Sequence, residues 1–200
     1  MFGKIADAIK QLQRGDFIVI VDDENRENEG DIMLAAEKAT PSKINYILQW
    51  AKGLMCLPMD GKRLDELKIP MMVPSATDKF HTPFTVSVDA KKNTTTGMSV
   101  HDRLETIKVF LDPHSKPEDL ARPGHMFPLR ARPNGVLDRQ GHTEAAVDLC
   151  NLAGLFPMAI IAEVMNDDGT MAKLPDLEQF AKKHKLSIYT IKDLIEYRSS

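Results

Sequence analysis

Residues 17–36 read FIVIVDDENRENEGDIMLAA, an apolar run, a polar segment and a second apolar run. Phe17 to Val21 has the length and β-branched content of a buried strand, and Ile32 to Ala36 reads as another. Between them, Asp22 to Asp31 is the densest polar cluster in the chain. Ahead of them, Ile5, Ala8, Ile9 and Leu12 recur at helical spacing until Gly15 ends the pattern. The chain therefore opens with a helix, a strand, a charged loop and a strand.

The same signals continue outward. Thr40 and Pro41 announce a helix carrying Ile44, Ile47, Leu48 and Ala51, closed by Gly53. LMCLPM, from Leu54 to Met59, reads as a strand, and FTVSV, from Phe84 to Val88, alternates as a half-buried strand should. Ser99 and Asp102 have capping-box spacing, which predicts a helix from Val100 to about Phe110 with Leu104 and Ile107 inward. Thr143 is expected to cap a helix from Glu144 to Leu152, with Gly154 just past its end. AIIAEVM then reads as a buried strand, Asp168-Gly169 as a hairpin turn leading into TMAKL, and Pro175 as the start of a further helix. A short strand SIYTI and a last helix begun by Thr190, with Asp193 at capping-box spacing, complete the chain. Residues 112–124, polar and proline-containing, read as a surface connection. Strands and helices alternate without a repeat period, and hairpins are mixed in. The expected fold is α+β, one domain over residues 1–200, with a mixed β-sheet flanked by helices in a three-layer α/β/α-like arrangement.

Composition narrows the function. The chain has 200 residues, 42% hydrophobic and 28% charged, in the range where a sizeable core forms. A formal net charge of −3 gives no basic field for nucleic acid or an anionic membrane. Leu152 to Ala162, the longest apolar stretch, is too short to span a bilayer. Cys56 and Cys150 lie in apolar runs with no metal-ligand spacing and read as reduced core thiols. A cytoplasmic protein without nucleic-acid or membrane partners is the expectation.

Five segments can carry chemistry. Carboxylates crowded between Asp22 and Asp31 repel one another, and a divalent cation such as Mg²⁺ or Mn²⁺ would relieve that cost. A calcium EF-hand fails on spacing, because setting Gly30 at its turn places Ala36 where a bidentate carboxylate is needed. RQGHTE, from Arg139 to Glu144, precedes a predicted helix, where exposed N–H groups, Arg139 and the Thr143 hydroxyl can hold an anion; alternatively Thr143 is only a cap and His142 only a carboxylate partner. Glu163 is either a desolvated acid in a pocket or a strand-end carboxylate facing water. His125, in ARPGHMFPL, sits between a Pro-Gly turn and a strand, as a catalytic imidazole, a packing residue or a bystander. TTTGMS, from Thr94 to Ser99, is a weak hydroxyl-rich signal before a helix.

Taken together, DDENRENEGD, TTTGMSVHDR, RPGHMFPLRA, RQGHTEAAVDL and AEVMNDDGTMAKLPDL occur in an order that resembles the dihydroxybutanone phosphate synthase family, over nearly the whole chain. The resemblance implies that Glu27 and His142 hold Mg²⁺ or Mn²⁺. It implies substrate contacts from Arg26, Glu27, Asp31, Glu163 and the stretch Arg139, Gln140, Gly141, His142 and Thr143, the last group taking the phosphate. It places His125, Glu163 and Asp31 among the catalytic residues, and implies a homodimer whose sites draw groups from both subunits. The implied reaction converts D-ribulose 5-phosphate into 3,4-dihydroxy-2-butanone 4-phosphate and formate. Many members continue into a GTP cyclohydrolase II domain, for which these residues carry no support. Two alternatives stay open: a metal-dependent sugar-phosphate isomerase or aldolase, which yields no formate, and a non-catalytic module that binds a phosphorylated ligand.

Overall fold

The computed structural model describes residues 2–200. The first helical repeat folds as α1 (Ile5–Arg14), and the two apolar runs around the charged loop become β1 (Ile18–Val21) and β2 (Gly30–Ala35). Strands β3 (Cys56–Met59), β4 (Val88–Ala90), β5 (Leu120–Arg130), β6 (Ala159–Glu163) and β7 (Ile188–Thr190) join them in one sheet of order β4-β5-β3-β6-β2-β1-β7. The sheet is mixed, since β1 runs parallel to β7 and β3 to β5 while the remaining neighbours are antiparallel. The helices that follow α1 are α2 (Pro41–Trp50), α3 (Gly61–Glu66), α4 (Val100–Leu111), α5 (His142–Leu152), α6 (Leu174–His184) and α7 (Ile191–Ser199).

Strand alternation sorts the core into two layers. Val19, Val21, Ile32, Leu34, Ile160 and Ala162 face α2, α4 and α6, through Ile44, Ile47, Ile107, Phe110, Leu177 and Ala181. Ile18, Ile20, Met33, Ala35, Ala159 and Ile161 face the other way, onto Ile5, Leu12, Ala145, Leu149 and Leu194 of α1, α5 and α7. A sheet buried on both faces is why these strands read as continuous apolar runs. The α+β expectation and its three layers therefore hold.

Local signals mostly resolve as expected. The Thr40 hydroxyl accepts from Lys43 N–H, Ser99 from Asp102 N–H and Thr190 from Asp193 N–H, so each caps its helix. Four readings are corrected. In FTVSV only Phe84 and Thr85 form isolated bridges, and Thr85 and Ser87 are buried while Phe84 and Val86 are partly exposed, the reverse of an apolar-inward strand. Residues 120–124 lie within β5 instead of a surface connection, and Leu120 and Ala121 pair with Ala90 and Asp89 of β4. Thr143 does not cap α5: the helix begins two residues earlier than expected, at His142, with Gly141 as N-cap and no side-chain cap bond. At the close of α2 the left-handed residue is Lys52 (φ 72°), and Gly53 has a different task, described below.

Leu34 is fully buried between β2 and the α2 and α4 layer, remote from the polar loop. Truncation to Ala should lower unfolding free energy by about 2–5 kcal/mol in urea titrations, and a loss under ~1 kcal/mol would contradict the layer assignment.

Candidate active site

The register of β2 against β6 builds the floor of the site. Asp31 lies directly opposite Glu163, and both share the parity of Met33 and Ile161, so both face the α5 layer. Helix α5 starts there with His142, which is 6% exposed. The charged loop returns over the same spot. A pocket of about 60 Å³ gathers Arg26, Glu27, Asp31, Cys56, Thr82, Phe84, Leu129, Arg139, His142, Thr143, Ile161 and Glu163. Other cavities among the described residues, of about 420, 570, 640 and 880 Å³, are far larger, but none of these brings His142 and these carboxylates together. Convergent ionisable groups, not volume, single out the small one.

Asp22 folds the loop. Its side chain is fully buried, and its Oδ1 accepts from Glu29 N–H (2.9 Å) while Oδ2 accepts from Glu27 N–H (2.9 Å) and Arg26 Nη1 (2.9 Å). Arg26 Nη1 also pairs with Glu27 Oε2 at 3.1 Å, and Glu27 Oε2 lies 3.4 Å from His142 Nδ1. Asp22, Glu27 and His142 thus present ligand atoms all within 4.8 Å of one another. Charge clustering shifts their protonation. Burial alone would raise Glu27, but the His142 and Arg26 partners outweigh it and hold the carboxyl down at about 2. Burial drives Asp31 up to about 7, with Glu163, Glu27 and Glu29 pushing the same way against His142. For His142, burial opposes the charged ring, yet the carboxylates of Asp31 and Glu27 prevail and raise it to about 9. The Cys56 thiol is pushed far up by burial, then by Glu163 and Asp31, and stays protonated.

The donor set fits a hard divalent cation, since carboxylate oxygens with one imidazole suit Mg²⁺ or Mn²⁺. A second observation agrees with it. Among the described residues, His142 Nε2 and Asp31 Oδ1 are buried without a hydrogen-bond partner, and buried polar atoms are ordinarily paired.

Glu163 is held by a device that the sequence reading missed. Leu54 N–H donates to its Oε2 (2.8 Å) and Gly53 N–H to its main-chain oxygen (3.0 Å). A Cβ at residue 53 would overlap both of those oxygens and Glu163 Cβ. Gly53 is therefore the space into which Glu163 fits.

The remaining expected residues are placed as follows. Arg139 Nη1 pairs with the fully buried Glu144 (2.7 Å) and its Nη2 donates to Phe80 O (3.1 Å), while the Arg26 guanidinium sits 5.3 Å from the Phe80 ring centre. Gly141 and Thr143 are buried at the start of α5, and Gln140 is exposed. His125 is not brought in: it lies on β5, its side chain is 44% exposed, and it lines none of the pocket. Asp22 was legible only as one acid among many, and Cys56 only as an apolar-run thiol.

Such an array, acids and an imidazole at the start of a helix above strand ends, has the donors and acceptors that acid–base chemistry needs. Comparison with known proteins specifies it. Residues 6–197 match the family model described as 3,4-dihydroxy-2-butanone 4-phosphate synthase. The Agrobacterium fabrum 3,4-dihydroxy-2-butanone 4-phosphate synthase is 57% identical over 97% of this chain and 91% of its own length. The Aquifex aeolicus riboflavin biosynthesis protein RibBA is 53% identical over 98% of this chain, which spans 49% of that longer protein. A crystal structure of 3,4-dihydroxy-2-butanone 4-phosphate synthase in complex with two magnesium ions superposes with a TM-score of 0.93 at 38% identity, covering 98% of this chain and 96% of that one. The chain belongs to the 3,4-dihydroxy-2-butanone 4-phosphate synthase family.

Two predictions follow from the geometry. Gly53→Ala should displace Glu163 and cost about 1–3 kcal/mol of stability by overpacking, measured in denaturant; a variant as stable as the parent would contradict the fit. In protein stripped with EDTA, the folded state holds the His142 proton more tightly than the unfolded chain, whose value is 6.5. Its contribution to stability is then complete below about 6.5 and is lost as pH rises through about 9, and Asp31 acts with the same sign. A midpoint of unfolding that stays flat across that window would refute the buried charge pair.

Proposed function

We propose that the chain converts D-ribulose 5-phosphate into 3,4-dihydroxy-2-butanone 4-phosphate and formate for riboflavin biosynthesis, as a single domain. Family membership supports the product, and one observation supports the chemistry: Glu27, His142, Asp31 and Glu163 converge on one pocket in which His142 Nε2 and Asp31 Oδ1 lack partners. Glu27 and His142, with Asp22 beside them, would hold Mg²⁺ or Mn²⁺. That ion would supply Lewis-acid polarisation of the sugar oxygens.

The residues of the chain carry the remaining roles. Arg139, Gln140, Gly141 and Thr143 orient the phosphate at the start of α5, where N–H groups and the helix dipole favour an anion. For this, Arg139 exchanges its Phe80 contact for the ligand while Glu144 keeps it aimed. Arg26 stands over the pocket as a further cation. Asp31 and Glu163, opposite each other on adjacent strands, flank the sugar and exchange protons as it passes from the C3 enediol through loss of water from C1 and a skeletal rearrangement that moves C5 from C4 to C3, to hydrolytic release of C4 as formate. The pocket is polar on the α5 side and closed by Phe84, Leu129 and Ile161, which limits water at the reacting carbons.

His125 enters this scheme from a second copy of the chain, in a homodimer. Its place outside the pocket of its own subunit supports this, as do the exposed apolar residues Met71, Met72 and Val73, at 40%, 46% and 48% exposure. Two buried free thiols suit the reducing cytoplasm.

Glu27→Ala and His142→Ala should each abolish Mg²⁺-dependent formate release from ribulose 5-phosphate, and full activity in either would overturn the metal assignment. Formate in the product separates this reading from an isomerase or aldolase, and turnover itself from a binding module. If sites are shared, inactive His142→Ala and His125→Ala subunits refolded together at equal ratio should regain about a quarter of parental activity, because half the dimers are mixed and each carries one intact site. No recovery would place His125 outside the shared site.

A further inference from the structure

His125 does not stand alone. Its Nδ1 lies 2.6 Å from Asp89 Oδ2, and its own backbone N–H donates to Asp89 Oδ1 at 2.9 Å. Asp89 is 8% exposed, on β4, at the point where a register shift between Val88 and Asp89 breaks the pairing with β5. Such a bulge re-aims the side chain that follows it. One carboxylate thus clamps both the backbone and the ring of the same residue.

The loop at Thr94 to Ser99 closes over this pair. Asp102 accepts from Thr95 N–H (3.1 Å), Thr95 Oγ1 (2.8 Å) and Gly97 N–H (3.0 Å), drawing the loop onto α4. Gly97, at φ 89°, then packs directly on the dyad: a Cβ there would overlap Asp89 Oδ2 and come within 2.7 Å of His125 Nδ1. A left-handed backbone and the absent side chain both require glycine at this position. The TTTGMS motif is therefore a clasp for the pair.

We infer that Asp89 is the positioning residue for His125, fixing the ring in the tautomer that carries its proton on Nδ1 and leaves Nε2 free, at the exposed edge of the ring, to accept a proton from substrate. An ionised carboxylate offers acceptors only, so both Asp89 oxygens are met by donors when the ring proton sits on Nδ1. The inference rests on the reading that His125 takes part in the reaction. It adds the residue that sets its chemistry, 36 positions away in sequence.

Asp89→Asn tests it with almost no change of shape. Asparagine has one acceptor oxygen, which the His125 backbone N–H occupies, and its amide group then donates to Nδ1. The ring is driven to the Nε2–H form, which cannot accept a proton at Nε2. With Mg²⁺ and ribulose 5-phosphate, kcat should fall by about 100-fold or more while KM changes little, as when a buried carboxylate behind a catalytic histidine is made neutral. Long-range ¹⁵N NMR should find His125 as the Nδ1–H tautomer in the parent protein and as Nε2–H in the variant. An Nε2–H ring in the parent, or a variant with parental kcat alongside an inactive His125→Ala, would overturn the role of Asp89. Full activity in His125→Ala would instead remove the reading on which the inference rests.

Discussion

The pairing of β2 with β6 is the constraint on which the rest depends. In a strand the side-chain period is two, so the register that sets Asp31 opposite Glu163 also decides which layer receives them. Met33, Ala35, Ala159 and Ile161 anchor that register in the α1, α5 and α7 layer, and a slip of one residue would bury those carboxylates against Ile44 and Ile107 instead. Because β2 and β6 are interior strands, packed on both faces, the carboxylates sit on a rigid floor. Helix α5 then needs only to begin at the right height for His142 to meet them.

What gathers at that floor opposes folding. Asp22, Glu27, Asp31 and Glu163 meet in one small volume, and the cost is visible in the upward displacement of Asp31 and the retention of a proton by His142. Asp22 offsets part of it by accepting two backbone N–H groups and an arginine. Without a cation the arrangement is still left with two unpaired buried atoms. A protein gains nothing from such a cluster unless a ligand completes it, and natural sequences place local strain of this kind at functional sites.

Long-range geometry marks where the sequence was readable. Helix caps at Thr40, Ser99 and Thr190 and the runs that became β1, β2 and β6 depend on neighbours a few residues away, so pattern was enough. Both core faces being covered explains the apolar runs and the layer count. FTVSV misled because alternation states a period without its phase, and buried Thr85 finds its partner at Pro128 O, 43 residues on. Thr143 had the residue type of a cap, but α5 took its start from Gly141. The charged loop was conspicuous, whereas the pivot within it was not, since Asp22 differs from its neighbours only by what folds around it. Gly53 read only as a helix stop and Asp89 carried no signal, because their roles arise from contacts 110 and 36 residues distant in sequence.

The central claim is that one imidazole and the loop carboxylates form a single cation site above the β2 and β6 floor. Pulsed electron paramagnetic resonance on the Mn²⁺-loaded protein tests it most directly, because nitrogen in the first coordination sphere modulates the electron spin echo. The account predicts coupling to one imidazole nitrogen, abolished in His142→Asn while other histidine substitutions leave it intact. Tightly bound Mn²⁺ without nitrogen coupling in the parent protein would contradict it.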